Sequence, residues 1–333
     1  MNFVLDDECA LNLFYQLSID DDAKAMVTFT DVIPQLLERV LSGEASQTHI
    51  AILVNIATEK RNAQLICGRE GKGLDAIMGR AIEQQNLLLF KLLRNLASHT
   101  GSTQIMFSKW VQKLLCLATG QTTSPPASLS FRIGVESIRI LSQLHLNNWD
   151  EFIQKNNMVS WVGDKINTSQ GKNGSTDLLL QVVILSGTMA LQSCAARLLV
   201  PLVDSFLRFL AEEQEDDEMV IQIVYFFYSL LLHEETNADL TSEDSPVGAY
   251  LIDLMHDKNE KIRELCERTL DLFAMTSDVW SRRMDAERFC WHNAQWLEMV
   301  TGNDCTMSCD SALSEPPSLF NDIFETEELA EMN

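Results

Sequence analysis

The sequence predicts an all-α chain of stacked repeats. Three observations point there: an apolar segment that recurs at near-constant spacing, a scarcity of glycine and proline (14 and 7 in 333 residues), and no β-branched alternation. Each recurrent segment is centred on a small or polar residue. The centres Gln16, Asn55, Asn95, Gln143, Gly187, Tyr228 and Asp271 step by 39, 40, 48, 44, 41 and 43 residues. A period of 40 to 47 with two or three helices per unit is that of HEAT and armadillo solenoids. The expected architecture is a right-handed armadillo-type α-solenoid of about six to seven units over residues 1–302, followed by an acidic disordered tail over 303–333.

The elements follow in order. Each unit opens with a short polar helix. A second helix then carries apolar residues at i, i+3, i+4 and i+7, as in Ile33-Pro34-Gln35-Leu36-Leu37, Leu74-Asp75-Ala76-Ile77-Met78 and Trp110-Val111-Gln112-Lys113-Leu114-Leu115. Val159-Ser160-Trp161-Val162, Leu202 to Leu207 and Tyr250 to Met255 continue the series. Pro34 falls near a helix start, where its missing N–H costs nothing. The third helix is the apolar one, for example Leu53-Val54-Asn55-Ile56-Ala57 and Leu92-Leu93-Arg94-Asn95-Leu96-Ala97. Loops are expected at Thr119 to Ser130, Asn167 to Thr176 and Glu234 to Pro246. The most apolar stretch, Met219 to Leu232, contains Gln222 and Ser229 and is too short to span a bilayer.

Charge is unevenly spread. Residues 1–200 carry 17 Lys+Arg against 18 Asp+Glu, whereas residues 201–333 carry 8 against 30. Such an acidic surface repels nucleic acid and anionic membranes and attracts basic partner segments, the more weakly as salt rises. Residues 51–114 reverse the sign, with nine basic residues against four acids. The eight cysteines are scattered, most of them in apolar helical runs. With no secretory leader, that pattern reads as buried free thiols in a cytoplasmic protein. Asn167-Thr168-Ser169 and Asn173-Gly174-Ser175 match the glycosylation sequon but read as ordinary loop residues in that compartment.

Catalytic chemistry finds no footing. Gly68-Arg69-Glu70-Gly71-Lys72-Gly73 lacks the Ser or Thr after the lysine, and the preceding strand, that a phosphate loop needs; it reads as a turn between helices. Cys290-Trp291-His292 with Cys305 and Cys309 matches no zinc spacing, and the six histidines accompany no nucleophile. No metal or cofactor is expected.

Binding has better candidates. Asn55 and Asn95, on third helices, can donate and accept at once. They either grip the backbone of an extended partner or satisfy a neighbouring helix. Arg61 and Arg94 surround them with positive charge, and Gln143 holds the next equivalent position. Glu215, Asp216, Asp217 and Glu218 precede an apolar helix, either as a solvated helix start or as a docking patch for a basic partner. Leu319 to Phe324, with apolar residues at i and i+4, is either inert tail or a short partner-bound helix.

Several runs resemble one family. Tyr250-Leu251-Ile252-Asp253-Leu254-Met255-His256-Asp257-Lys258-Asn259 is similar to the last armadillo unit of the kinesin-associated protein family, the non-motor subunit of heterotrimeric kinesin-II. Phe289-Cys290-Trp291-His292-Asn293-Ala294-Gln295-Trp296-Leu297-Glu298-Met299-Val300 resembles the same family and is the most specific of the runs. Leu17 to Lys24, Lys60 to Cys67 and Gln214 to Glu218 match in the same order, so the resemblance covers roughly residues 3–300. It implies a non-enzymatic armadillo adaptor that binds the tails of the paired motor polypeptides and links them to cargo, including material carried along ciliary microtubules. Members of that family have a long region ahead of these units and a glycine- and tyrosine-rich tail after them. This chain is therefore expected to be a shortened form whose first unit lacks its polar cap. An importin- or catenin-like adaptor in nuclear transport or signalling is the competing expectation.

Overall fold

The computed structural model describes residues 3–120, 127–168 and 176–293, and no strand occurs among them. The expected loop residues 121–126 and 169–175, the run from Ala294 to Val300 and the tail over 303–333 lie outside the described residues. So do Cys305, Cys309 and Leu319 to Phe324. The chain divides into two compact units, Met1–Thr236 and Asn237–Asn333.

In the first unit the third helices form one row: α1 (Glu8–Leu17), α2 (Gln47–Ile56), α3 (Leu87–Ala97), α4 (Ala127–Leu141), α5 (Thr176–Ala190) and α6 (Asp217–Leu231). Each of α2 to α6 packs on the third helix before it. Local chemistry starts these helices where the period requires. Ser46 caps α2 in a reciprocal box with His49, Asn86 accepts from the Leu88 N–H at 3.0 Å to cap α3, and Asp216 caps α6. Second helices run over Val32–Ser42, Lys72–Gln84, Val111–Thr119, Met158–Thr168 and Val203–Glu212. The core is the ribbon between these layers: Leu53, Leu93, Ile138, Val183 and Phe227 are all fully buried. Phe206 of a second helix stacks on Phe226 of α6 with ring centroids 4.3 Å apart.

The glycine-rich run is a turn between the helices Lys60–Cys67 and Lys72–Gln84. Gly68 and Gly71 have φ of +70° and +76°, and Glu70 joins them at +54°. A Cβ on Gly73 would lie 2.1 Å from the Ile66 carbonyl oxygen, so the close approach of the two helices requires glycine there.

Three expectations change. The stretch from Glu234 is not a loop at its start, because a helix runs over Glu234–Leu240. Glu234 and Glu235 favour its N-terminus electrostatically, and buried Leu240 anchors its end. The expected loop before α4 is shorter, since Ala127 to Ser130 are already helical. Finally, of the six cysteines described, Cys67 and Cys266 are buried, Cys116 and Cys290 are half-buried, and Cys9 and Cys194 are exposed. Scattered apolar context overstated their burial, because a helix in a stack still has a solvent edge.

The second unit is described to Asn293. Its helices Pro246–Leu254, Glu260–Thr276 and Asp278–His292 close around Trp280. That indole meets Phe273 edge-on at 5.3 Å, and its Nε1–H donates to the Ser242 carbonyl at 3.0 Å. His256 Nε2 lies 2.6 Å from a Glu287 carboxylate oxygen, and the ring stacks on Trp291 at 4.4 Å.

Candidate partner-binding face

The row α1 to α6 repeats the same helix face from unit to unit, and polar side chains recur along it. The Asn55 amide donates to Ser18 Oγ at 2.9 Å, and that hydroxyl donates to the Tyr15 carbonyl at 2.6 Å. One period later, the Asn95 amide donates to the Val54 carbonyl at 2.8 Å. Both asparagines are half-buried and reach back to the preceding unit. Each bond uses one of two N–H donors on its amide. Asparagine at this register therefore joins neighbouring third helices.

Beside Asn95, Arg94 begins a charged chain that crosses three helices. Its Nη1 lies 3.5 Å from Glu136 Oε2 on α4. The Glu136 carboxylate, 7% exposed, also takes Arg139 Nη1 at 2.8 Å. Arg139 Nη2 continues to Asp177 Oδ1 on α5 at 2.6 Å. Burial disfavours the Arg139 cation, but the carboxylates of Glu136 and Asp177 outweigh it and raise its pKa. A buried carboxylate held by two guanidiniums is satisfied, and the partly exposed Arg94 and Arg139 keep donors for an acidic or carbonyl-rich ligand.

The other expected residues separate from this group. Arg61 is exposed on the first helix Lys60–Cys67, not on the third-helix row. Gln143 is half-buried just past α4, and its backbone carbonyl accepts from the Gln104 amide at 2.6 Å. Asp216 is the cap of α6, accepting from the N–H groups of Glu218 and Met219, both at 3.1 Å. Glu215, Asp217 and Glu218 are exposed around that helix start, and Glu218 accepts from the Gln222 amide at 2.9 Å. The acidic cluster is thus at α6, Asn55 is on α2, Arg94 and Asn95 are on α3, and Arg61 is on the helix Lys60–Cys67.

Sequence reasoning passed over Glu136, Arg139 and Asp177. Their signal was an i, i+3 acid–base pair inside an apolar helix, with charged residues one period away on either side. It also passed over two histidines with one job. His99 and His233 each stand two residues past a third helix. Their Nε2 atoms contact the Ala57 and Ala190 carbonyls of the preceding unit, at 2.7 and 2.9 Å.

Among the described residues no three metal-binding side chains converge, and no helix is long and apolar enough to cross a membrane.

A family model described as Kinesin-associated protein (KAP) matches residues 3–320. Solved structures match the fold at low identity. A designed armadillo repeat protein is 12% identical over 72% of this chain and 99% of its own, with a TM-score of 0.55. Another, in complex with the peptide (KR)4, is 13% identical over 72% and 99%, with a TM-score of 0.56. A chain from a structure of the interaction between cadherin and beta-catenin is 14% identical over 80% of this chain and 55% of its own, with a TM-score of 0.57. The fold is an all-α armadillo solenoid, as the repeat period predicts.

Proposed function

Since the chain belongs to the kinesin-associated protein family, we propose that it is a non-enzymatic adaptor that holds the tails of a heterodimeric kinesin-II motor and links them to cargo. Its setting is the cytoplasm, on microtubules, with plus-end-directed and ciliary transport as the process served. The match over residues 3–320 carries this reading, because it takes in the whole described solenoid.

The third-helix row supplies the grip. Arg94 and Arg139 are oriented by buried Glu136 and offer directed donors, and Asn55 and Asn95 offer their remaining amide groups to an extended backbone. Glu215, Asp217 and Glu218 around the Asp216 cap provide a second, negative contact for a basic segment, while Arg61 adds positive charge on the first-helix side. Together they suit a partner with segments of both signs.

The test is co-purification of the chain with the motor heterodimer's stalk and tail across a salt series, with and without residues 301–333. Retention at low salt that weakens as salt rises supports the reading. Recovery of nuclear carriers without any motor polypeptide overturns it.

A further inference from the structure

Two first-helix positions in the middle of the stack turn an aliphatic side chain outward. Leu65 and Ile105 stand ten residues after Asn55 and Asn95, in the same register of successive first helices, Lys60–Cys67 and Ser102–Ile105. Leu65 is 43% and Ile105 73% exposed. The polar residue beside Ile105 points the other way. Gln104 is 7% exposed, and its amide donates to the Ala97 and Gln143 carbonyls at 3.1 and 2.6 Å. Ten residues after Gly187 the same register carries Arg197, exposed and 2.5 Å from Glu235, which is the ordinary way to fill a solvated position. Neither aliphatic residue lies at an edge of the stack, because α1 packs on α2 on one side and α4 packs on α3 on the other.

Positive charge borders both side chains. Arg61 lies one turn before Leu65 on the same face of its helix. The turn that carries Arg69 and Lys72 abuts Met106, next to Ile105: a Cβ on Gly71 would lie 3.3 Å from the Met106 Cβ. Over residues 60–72 the exposed cations Lys60, Arg61, Arg69 and Lys72 face one exposed acid, Glu70. Lys72 is 3.9 Å from Glu70, whereas Lys60, Arg61 and Arg69 pair with no acid among the described residues. A segment that is acidic and carries apolar side chains fits both features. An anionic membrane shares that chemistry, but the chain's net charge of −23 opposes its approach.

We propose that Leu65 and Ile105, with Arg61, Arg69 and Lys72 around them, dock an acidic segment of a partner polypeptide through two of its apolar side chains. The aliphatic pair anchors the segment, and the cations select its charge and speed its encounter. The surface lies on first helices and goes beyond the motor reading, which rests on the third-helix row; Arg61 alone is common to both.

The probe is a synthetic peptide with two leucines among glutamates and aspartates, read by fluorescence anisotropy against the full chain. One matched peptide carries lysines in place of the acids, and another carries serines in place of the leucines. Saturable binding of the acidic leucine peptide is expected, falling with salt and weakened about tenfold or more by the double substitution Leu65→Ser and Ile105→Ser. Arg69→Glu, on an exposed turn, should weaken it as well and does not depend on how the double variant folds. Equal binding of either matched peptide, or binding that both variants leave unchanged, overturns the proposal. Loss of motor-tail retention in the double variant overturns the assignment to a separate partner. Binding to phosphatidylserine vesicles without binding to the peptide overturns it in favour of a membrane. Sedimentation showing self-association that the double substitution abolishes overturns it in favour of a second copy.

Discussion

The Asn95 side chain donates a 2.8 Å hydrogen bond to the Val54 carbonyl, tying α3 to α2 through an amide at the repeat's own register. Asn55 makes the equivalent reach from α2 to Ser18. In a stack whose units contact only their neighbours, stability is a sum of unit and interface terms, so a bond of this kind bears on the interface directly.

Replacing Asn95 with Ala should therefore lower stability by about 1 kcal/mol, the ordinary worth of one such bond. Calorimetric melting measures that cost, and motor-tail affinity measured in parallel separates it from a contact with the partner. An unchanged melting temperature with reduced affinity would show that the amide serves the partner alone.

Glu136→Gln removes the negative charge shared by Arg94 and Arg139 and leaves two half-buried cations without it. The expected loss is about 1–3 kcal/mol in chemical denaturation, less than for a fully buried pair because both guanidiniums reach solvent. Motor-tail affinity should fall as well, since the two arginines lose their fixed orientation.

Gly248→Ala tests the core of the second unit. A Cβ there would lie 2.5 Å from the Trp280 ring, which is fully buried and cannot retreat. Overpacking should cost about 1–3 kcal/mol and shift Trp280 fluorescence. Gly187→Ala in the first unit meets Tyr225 at 3.0 Å and should cost less, because Tyr225 is only half-buried.

His49 makes the first repeats sensitive to acid. Burial is the main cause that holds its pKa below 6.5, and its ring is engaged as the neutral form. Nδ1 accepts from the Ser46 N–H at 3.1 Å, and Nε2 lies 3.1 Å from the Leu5 carbonyl. A histidine depressed in the folded state binds fewer protons than in the unfolded chain. Its contribution is therefore intact above pH 6.5 and declines as pH falls from there through the folded pKa. Melting temperature should drop with acidification over that range, and His49→Ala should melt lower at neutral pH with a flatter slope. A slope equal to the parent's would remove His49 as the cause.

Much of the candidate face was readable before any coordinates, but unevenly. Asn55 and Asn95 stand out because a polar residue in an apolar helix at a fixed period must be answered by something. What answers it is a carbonyl or hydroxyl 37 to 41 residues away, and no local pattern names that atom. Arg61 was grouped with them by proximity in the chain, yet it projects from a different helix of the unit. Glu136 was hidden for the opposite reason. Its i, i+3 pairing with Arg139 reads as an ordinary pair within one helix until Arg94, 42 residues earlier, is known to reach the same carboxylate.

By itself the sequence determined the helical class, the number and spacing of the repeats, and which helix of each unit is the buried one. These follow from periodicity, and periodicity is a local property of the chain. Only the tertiary structure decided which polar groups join one repeat to the next, and which equivalent leucines are buried or bare. Those outcomes depend on whether a neighbour is stacked there: Ile52 and Leu13 hold the same register, and only the first of them is covered by a helix.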